Sequence, residues 1–452
     1  MRDVLVTLIV FGLLPLVFKK PYIGALMWVW ISVMNPHTQG WGFATTFPFA
    51  AIIAGVTMIS LLASKEPKSL PLTPVTGIFI VFIVWMNAST ILGFYPEESL
   101  DQWNKVMKIM LMTLVTLMLI KTKEHVQSLI WVIVISLGYY GIKGGIFTVL
   151  GGGQHMVLGP EGTFIGGNNE IALALILTIP LMHYLQTITP DARIRHGLTI
   201  AMLLSALAAL GSYSRGALVA IVMMGIFLWL KSRHKVRIGL LLLLAIPPAL
   251  AFMPEKWAER MDTINTYEED GSVLGRFNAW WMAYNLAKDR PLFGGGFEII
   301  TPDLFYRYAP NPLDLHAAHS IYFQALGEHG FVGLGLYLLL GFLVWRTGSW
   351  IIRNTANRED YRWASDLATM LQVSLVGFSV GGAFLSLLYF DVPYYLMCAM
   401  VATRIVVEKG LKEVPATIKG GQMADLTLQT GAPPRAGSFT PSRSQAATRD
   451  SR

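Results

Sequence analysis

The stretch HAAHSIYFQALGEHG, residues 316 to 330, sets three histidines and a glutamate against an apolar run, FVGLGLYLLLGFLVW, long enough to enter a bilayer. Ionisable groups at the edge of hydrocarbon are expensive, so they are usually paired, water-lined or functional. His319 stands where a loop becomes a helix, with Ser320 beside it and His316 three residues earlier. From that boundary an imidazole meets both water and a molecule held in the membrane, and it titrates in the range useful for proton transfer. Glu328 and His329 follow deeper, Glu328 about 14 Å along the helix at ~1.5 Å rise per residue, a depth that suits a structural pair. Contact with lipid headgroups is the alternative for an interfacial histidine.

Two arginines offer a different chemistry. Arg215, in GSYSRGAL, lies between two apolar runs joined by almost nothing, so its guanidinium sits at the membrane boundary. It reads either as a side chain snorkelling to headgroup phosphates or as a fixed cation for an anionic lipid-linked substrate. Arg276, in GSVLGRFNAWW, opens a short helix and presents a planar fork that matches phosphate oxygens; Arg260, Lys288, Arg290 and Arg307 share its loop, and a solvated surface arginine is the alternative. Asn168 and Asn169 stand at a helix entrance after the glycine-rich GGGQHMVLGPEGTFIGGNNE, where they cap the helix or touch sugar hydroxyls. Those glycines read first as turns. A metal set would combine His316 and His319 with the carboxylates of YEEDG, but nothing in the spacing puts these on one face, and an acidic run also suits a solvated turn. The chain has neither a GxxxxGK[ST] loop nor a GxGxxG at a strand end. The expectation is therefore a site without metal or cofactor.

The elements that position these residues are helices in a membrane. Of 452 residues, 54% are hydrophobic and only 14% charged, with a mean hydropathy of +0.51, too apolar for an ordinary soluble domain. Apolar segments near 4–18, 22–34, 47–63, 72–94, 105–120, 126–149, 170–188, 197–213, 216–230, 236–252, 320–345, 363–388 and 392–407 predict an all-α polytopic membrane protein of twelve or thirteen spanning helices. The first two are short, and one of them lies flat or re-enters. Lys19-Lys20 replaces the cleavage site a signal peptide would need, so the N-terminus reads as retained. Basic clusters fall in alternate connections, which places those in the cytoplasm and the other set on the opposite side, the periplasm in a bacterium. The formal charge of +7 is thereby an orientation signal, and no basic stripe supports nucleic-acid binding. One cysteine, Cys398, excludes an intramolecular disulfide.

The chain divides into spanning helices over 1–253, a large outer loop over 254–318, C-terminal spanning helices over 319–410 and a disordered cytoplasmic tail over 411–452. Within the outer loop, EKWAERMDTI and SVLGRFNAWWMAYNLAKD read as short amphipathic helices, the second capped by Ser272 and stopped at RPLFGGG. Trp257, Trp280, Trp281 and Tyr284 suit the membrane interface.

Taken together, SYSRGAL, GRFNAWWMAYNLAKDRPLFGGGF and HAAHSIYFQALGEHGFVGLGL resemble the periplasmic signature of the bacterial O-antigen ligase and polymerase family. Arg215, the Arg276 to Trp280 element, Pro291 to Phe297, and His319-Ser320 followed nine residues later by Gly330 occur in the family's order. The first fifty residues resemble ligases associated with the exosortase system, so the resemblance spans most of 1–410. It implies a metal-independent, multi-helical C-type glycosyltransferase fold in the bacterial inner membrane, moving a glycan from an undecaprenyl-diphosphate donor to an acceptor on the periplasmic side, commonly lipid A-core. Polymerases, which extend a growing glycan, and protein O-oligosaccharide ligases share the signature. On this basis His319 is expected as the base, Arg215 and Arg276 as diphosphate ligands, and His316, Ser320, Glu328, Asn168, Asn169 and Trp280 as supporting residues. A lipid-linked oligosaccharide flippase is the alternative outside enzymology, but it would spread its arginines along a central cavity.

Overall fold

A computed structural model describes residues 2–65, 68–231, 252–262 and 271–429, with scattered positions between 235 and 244. Contacts divide the chain at Val407, and the first unit, residues 1–407, holds every candidate site residue. Its main elements are α1 (Arg2–Lys19), α2 (Pro21–Met34), α3 (Phe49–Ala63), α4 (Pro74–Ile91), α5 (Leu100–Leu119), α6 (Lys123–Leu150), α7 (Asn168–Ile188), α8 (Ala192–Leu210) and α9 (Arg215–Lys231). The large connection carries α10 (Glu255–Asp262), α11 (Gly271–Asp289) and α12 (Pro302–Tyr308); α13 (Ile321–Thr355), α14 (Arg362–Gly381) and α15 (Asp391–Gln429) follow. No strand occurs among the described residues.

Twelve of the thirteen apolar segments are helical, and the thirteenth, 236–252, lies largely outside the described residues. Among the described residues, six helical stretches are long and apolar enough to cross a membrane: α4, α6, α7, α8, α13, and α14 with its flanking turns. The rest are shorter or more charged; α2 and α3 have 14 and 15 residues. Polar caps set several boundaries, since Thr73 and Thr122 accept the third-residue N–H of α4 and α6, satisfying donors that a helix start leaves open. Small residues govern the closest approaches: a Cβ on Gly145 of α6 would fall 2.3 Å from the Leu204 carbonyl of α8, so the two backbones meet directly. The tail expected from 411 differs in its first part, because α15 continues to Gln429; residues 430–452 lie outside the described residues.

The connections sort into two sets by contact. At one end Tyr22 stacks on His125 at 3.8 Å between centroids and Lys123 lies over Trp363, joining connections that the basic clusters group together. At the other end the Phe94 N–H donates to the Gly295 carbonyl, Tyr213 Oη donates to the Gly153 carbonyl, and Gly153 abuts Pro254. This second end carries the site.

Candidate active site

One helix, α11, supplies three of the parts. Arg276 and Trp280 are four residues apart and so share a face, which gives the Arg-x-x-x-Trp spacing a physical meaning. The Trp280 indole N–H donates to the Ala318 carbonyl at 2.6 Å, and its ring stacks on Phe323 at 4.8 Å with 6° between planes. Asn278, buried, donates to the carbonyls of Asn311 and Asp314 and accepts the Asn311 N–H, all at 2.8–2.9 Å. At Gly275 a Cβ would meet the His316 ring at 2.7 Å, so the missing side chain lets that imidazole lie against the helix beside Arg276. The segment leading to His319 is thereby pinned at Asn311, Asp314 and Ala318 by α11 alone.

The spacing from His319 to Gly330 is the length of a helix segment. Ser320 is the buried N-cap residue of α13, and Gly330 breaks the helix at φ 70°, ψ −173°. The break leaves carbonyls of the preceding turn open to other donors: Gly327 and Glu328 accept the N–H groups of Gly295 and Gly296 at 2.9 Å, while the Phe331 N–H donates to the Pro291 carbonyl at 2.9 Å. Gly294 and Gly296 adopt φ of 62° and 89°, conformations glycine enters without penalty. Pro-Leu-Phe-Gly-Gly-Gly and the helix break are therefore two halves of one backbone joint. Phe293 stacks on Trp85 of α4, whose indole donates to the His329 carbonyl.

His319 itself has φ 42°, a left-handed conformation uncommon for a non-glycine residue. Its N–H donates to Ser386 Oγ at 3.1 Å. Burial lowers its pKa below the ordinary 6.5, with Arg276 and then His316 adding to the shift. Burial is the larger cause. His316 Nδ1 lies 2.6 Å from Asp314 Oδ1 as an ion-pair contact without aligned hydrogen-bond geometry.

Arg215 begins α9 directly after a turn held from several sides. Tyr213, at φ 60°, anchors the turn through its hydroxyl to Gly153 at 2.7 Å. Asn168 donates to the Ser212 carbonyl at 2.9 Å, Trp257 to the Leu210 carbonyl at 3.1 Å, and Ser214 Oγ accepts the Ala217 N–H. Gly216 faces Phe384, two residues from the serine that holds His319. The Arg276 charge also reaches Glu170 in the first turn of α7. The structure thus brings Arg276, His316 and His319 together, and it joins the Arg215 turn to them through the 384–386 segment and through Asn168.

Several expectations change. Trp257 and Trp280 are internal clamps, whereas Trp281 and Tyr284 are exposed on α11. Asn168 holds a neighbouring turn; Asn169 follows it, half-buried. α11 begins at Gly271, so Ser272 falls inside its first turn and is not the cap. Glu328 is buried, with Gln324 Nε2 donating to it at 3.1 Å and Tyr389 Oη donating to its other oxygen; Tyr389 also bonds His329 Nε2 at 2.5 Å, and His329 Nδ1 reaches Ser89 Oγ at 2.6 Å. Its hydrogen-bond partners are Gln324 and Tyr389, the second of which leads on to His329. The carboxylates of YEEDG lie outside the described residues. Among the described residues no group of three or more His, Cys, Asp and Glu is arranged to hold a metal ion.

Sequence reasoning missed Gln324, Ser386, Tyr389 and Asn278. A signal existed for one of them: Ser320, Gln324 and Glu328 recur every four residues on an otherwise apolar helix, a polar stripe aimed at one neighbour. Ser386 and Tyr389 gave none, because their relation to His319 is purely tertiary.

The fold and site define a class: an all-helical membrane protein with cationic and imidazole side chains gathered at one end of the bundle. Residues 200–338 match the family model described as O-antigen ligase (Wzy_C), a range that contains Arg215, Arg276, His319 and Gly330. That match supports the O-antigen ligase family and a ligase or polymerase type of function working on lipid-linked glycans. Residues 1–189 match a family of unknown function (DUF5935), and no curated protein matches the chain.

Proposed function

We propose that the protein is an O-antigen ligase of the bacterial inner membrane. It transfers a glycan from undecaprenyl diphosphate to lipid A-core on the periplasmic face, within a bundle of twelve or thirteen spanning helices. The observation that carries this reading is His319, half-buried, with its pKa lowered by burial and by Arg276, fixed at the mouth of a membrane helix. An apolar cavity of about 440 Å3 supports a lipid-linked donor: it is lined by Ile321 and Tyr322 beside the site and by Trp345 at its far end, between α13, α14 and α15.

In the proposed reaction a His319 ring nitrogen takes the proton of an acceptor hydroxyl as its oxygen attacks the anomeric carbon. The bond from that carbon to the phosphate oxygen breaks, and its electron pair leaves with undecaprenyl diphosphate. Arg215 and Arg276 stabilise the charge that develops there, so the charge compensation a metal ion would give comes from guanidinium groups. The diphosphate is a stable anion and needs no strong general acid. Attack opposite the leaving group inverts the anomeric centre, and the imidazolium returns its proton to water.

Purified protein supplied with an undecaprenyl-diphosphate glycan and lipid A-core tests the reading. Capping of the core is expected. Growth of the donor glycan would identify a polymerase, transfer to protein hydroxyls a protein ligase, and movement of donor across the bilayer without bond formation a flippase; each would overturn the ligase assignment.

A further inference from the structure

We propose that Ser386, with Gln324 and Glu328 behind it, is the positioning device of His319, a role resting on the reading of His319 as the base. A left-handed, non-glycine residue persists only where its surroundings over-determine it. Packing is incomplete under the residues that lead to His319: a cavity of about 100 Å3 lies there, lined by His316, Ala317, Ala318, Gln324, Glu328 and Ser386 among others. Hydrogen bonds therefore take a larger share in setting the conformation of the segment that ends at His319. Two hold it, Trp280 to the Ala318 carbonyl at 2.6 Å and the His319 N–H to Ser386 Oγ at 3.1 Å.

Ser386 lies between α14 and α15, outside any helix, and needs support of its own. Gln324 supplies it, because its Oε1 accepts the Leu388 N–H at 3.2 Å while its Nε2 donates to Glu328 Oε1 at 3.1 Å. The carboxyl thereby selects which end of the Gln324 amide faces Leu388. Tyr389, one residue on, donates to the other Glu328 oxygen. From Glu328 to His319 the chain runs carboxyl, amide, backbone, hydroxyl and backbone, and it ends on the residue whose ring must face the acceptor.

The test compares Ser386→Ala and Ser386→Thr in glycan transfer, alone and combined with His319→Ala. Ser386→Ala is expected to lower kcat about tenfold or more, leave KM for the donor unchanged and fold with normal yield, while Ser386→Thr, which keeps the hydroxyl, restores most of the rate. In a His319→Ala background Ser386→Ala should then have no further effect, since coupled residues are not additive. A parental rate for Ser386→Ala, equal loss in Ser386→Thr, or a full additional loss on top of His319→Ala would overturn the proposal. Should Ser386→Ala misfold, Gln324→Leu serves instead: it removes both the acceptor for Leu388 and the donor to Glu328, and it must show the same fall in kcat at constant donor KM. A His319→Ala variant that transfers at the parental rate would instead sink the base assignment itself, a separate failure.

Discussion

An imidazole is a base only while neutral, so the surroundings of His319 predict its pH behaviour. Its pKa is held below 6.5 by burial first and by Arg276 second. Transfer is therefore expected to be at its plateau at neutral pH and to fall as pH drops through a midpoint below 6.5, where the ring protonates. Replacing Arg276 by Gln removes one of the two leading causes and should move that midpoint upward in a kcat/KM profile, while donor KM rises with the loss of a phosphate ligand. A midpoint that stays put in Arg276→Gln would show that the guanidinium does not face the ring. The candidates for these proposed roles could be picked out in the sequence by residue type and boundary position. The order of causes could not, since burial is a property of the packed molecule.

Helices set how well these groups are aimed. Trp280 contributes a hydrogen bond as well as a ring, and Trp280→Phe separates the two by keeping the stack on Phe323 and removing the donor to Ala318. A net hydrogen bond is worth about 1 kcal/mol, or about five- to tenfold in rate if the loss falls on the transition state. Steady-state kinetics should show that loss in kcat. Gly330 is different, because its φ of 70° carries strain for any side chain and a Cβ would lie 2.5 Å from the Leu292 carbonyl. Gly330→Ala is expected to cost about 1–3 kcal/mol in backbone strain and to loosen the joint with Gly294 to Gly296, read as a lower thermal midpoint in detergent. The helix containing Arg276 and the helix that begins just after His319 could be placed from apolar periodicity and turn residues. The joint could not, because carbonyls freed at Gly330 meet amides over thirty residues away in sequence, a pairing that no local pattern encodes.

At the scale of the whole bundle, the alternation of basic and neutral connections anticipated two ends: Tyr22 stacks on His125 and Lys123 lies over Trp363 among the basic connections, while Phe94 bonds Gly295, Tyr213 bonds Gly153 and Asn168 bonds Ser212 among the others. Impermeant thiol reagents applied to spheroplasts should label a cysteine placed at Glu97 and spare one placed at Arg358, with the buried Cys398 silent in both. The reverse pattern would invert the orientation. The central claim is that His319 takes the acceptor proton beside a diphosphate held by arginines, and transfer by purified His319→Ala tests it most directly. With donor binding shown to be intact by direct titration, the account predicts a fall of roughly 10²–10⁴ in rate, the usual contribution of a positioned base; transfer at the parental rate would contradict it.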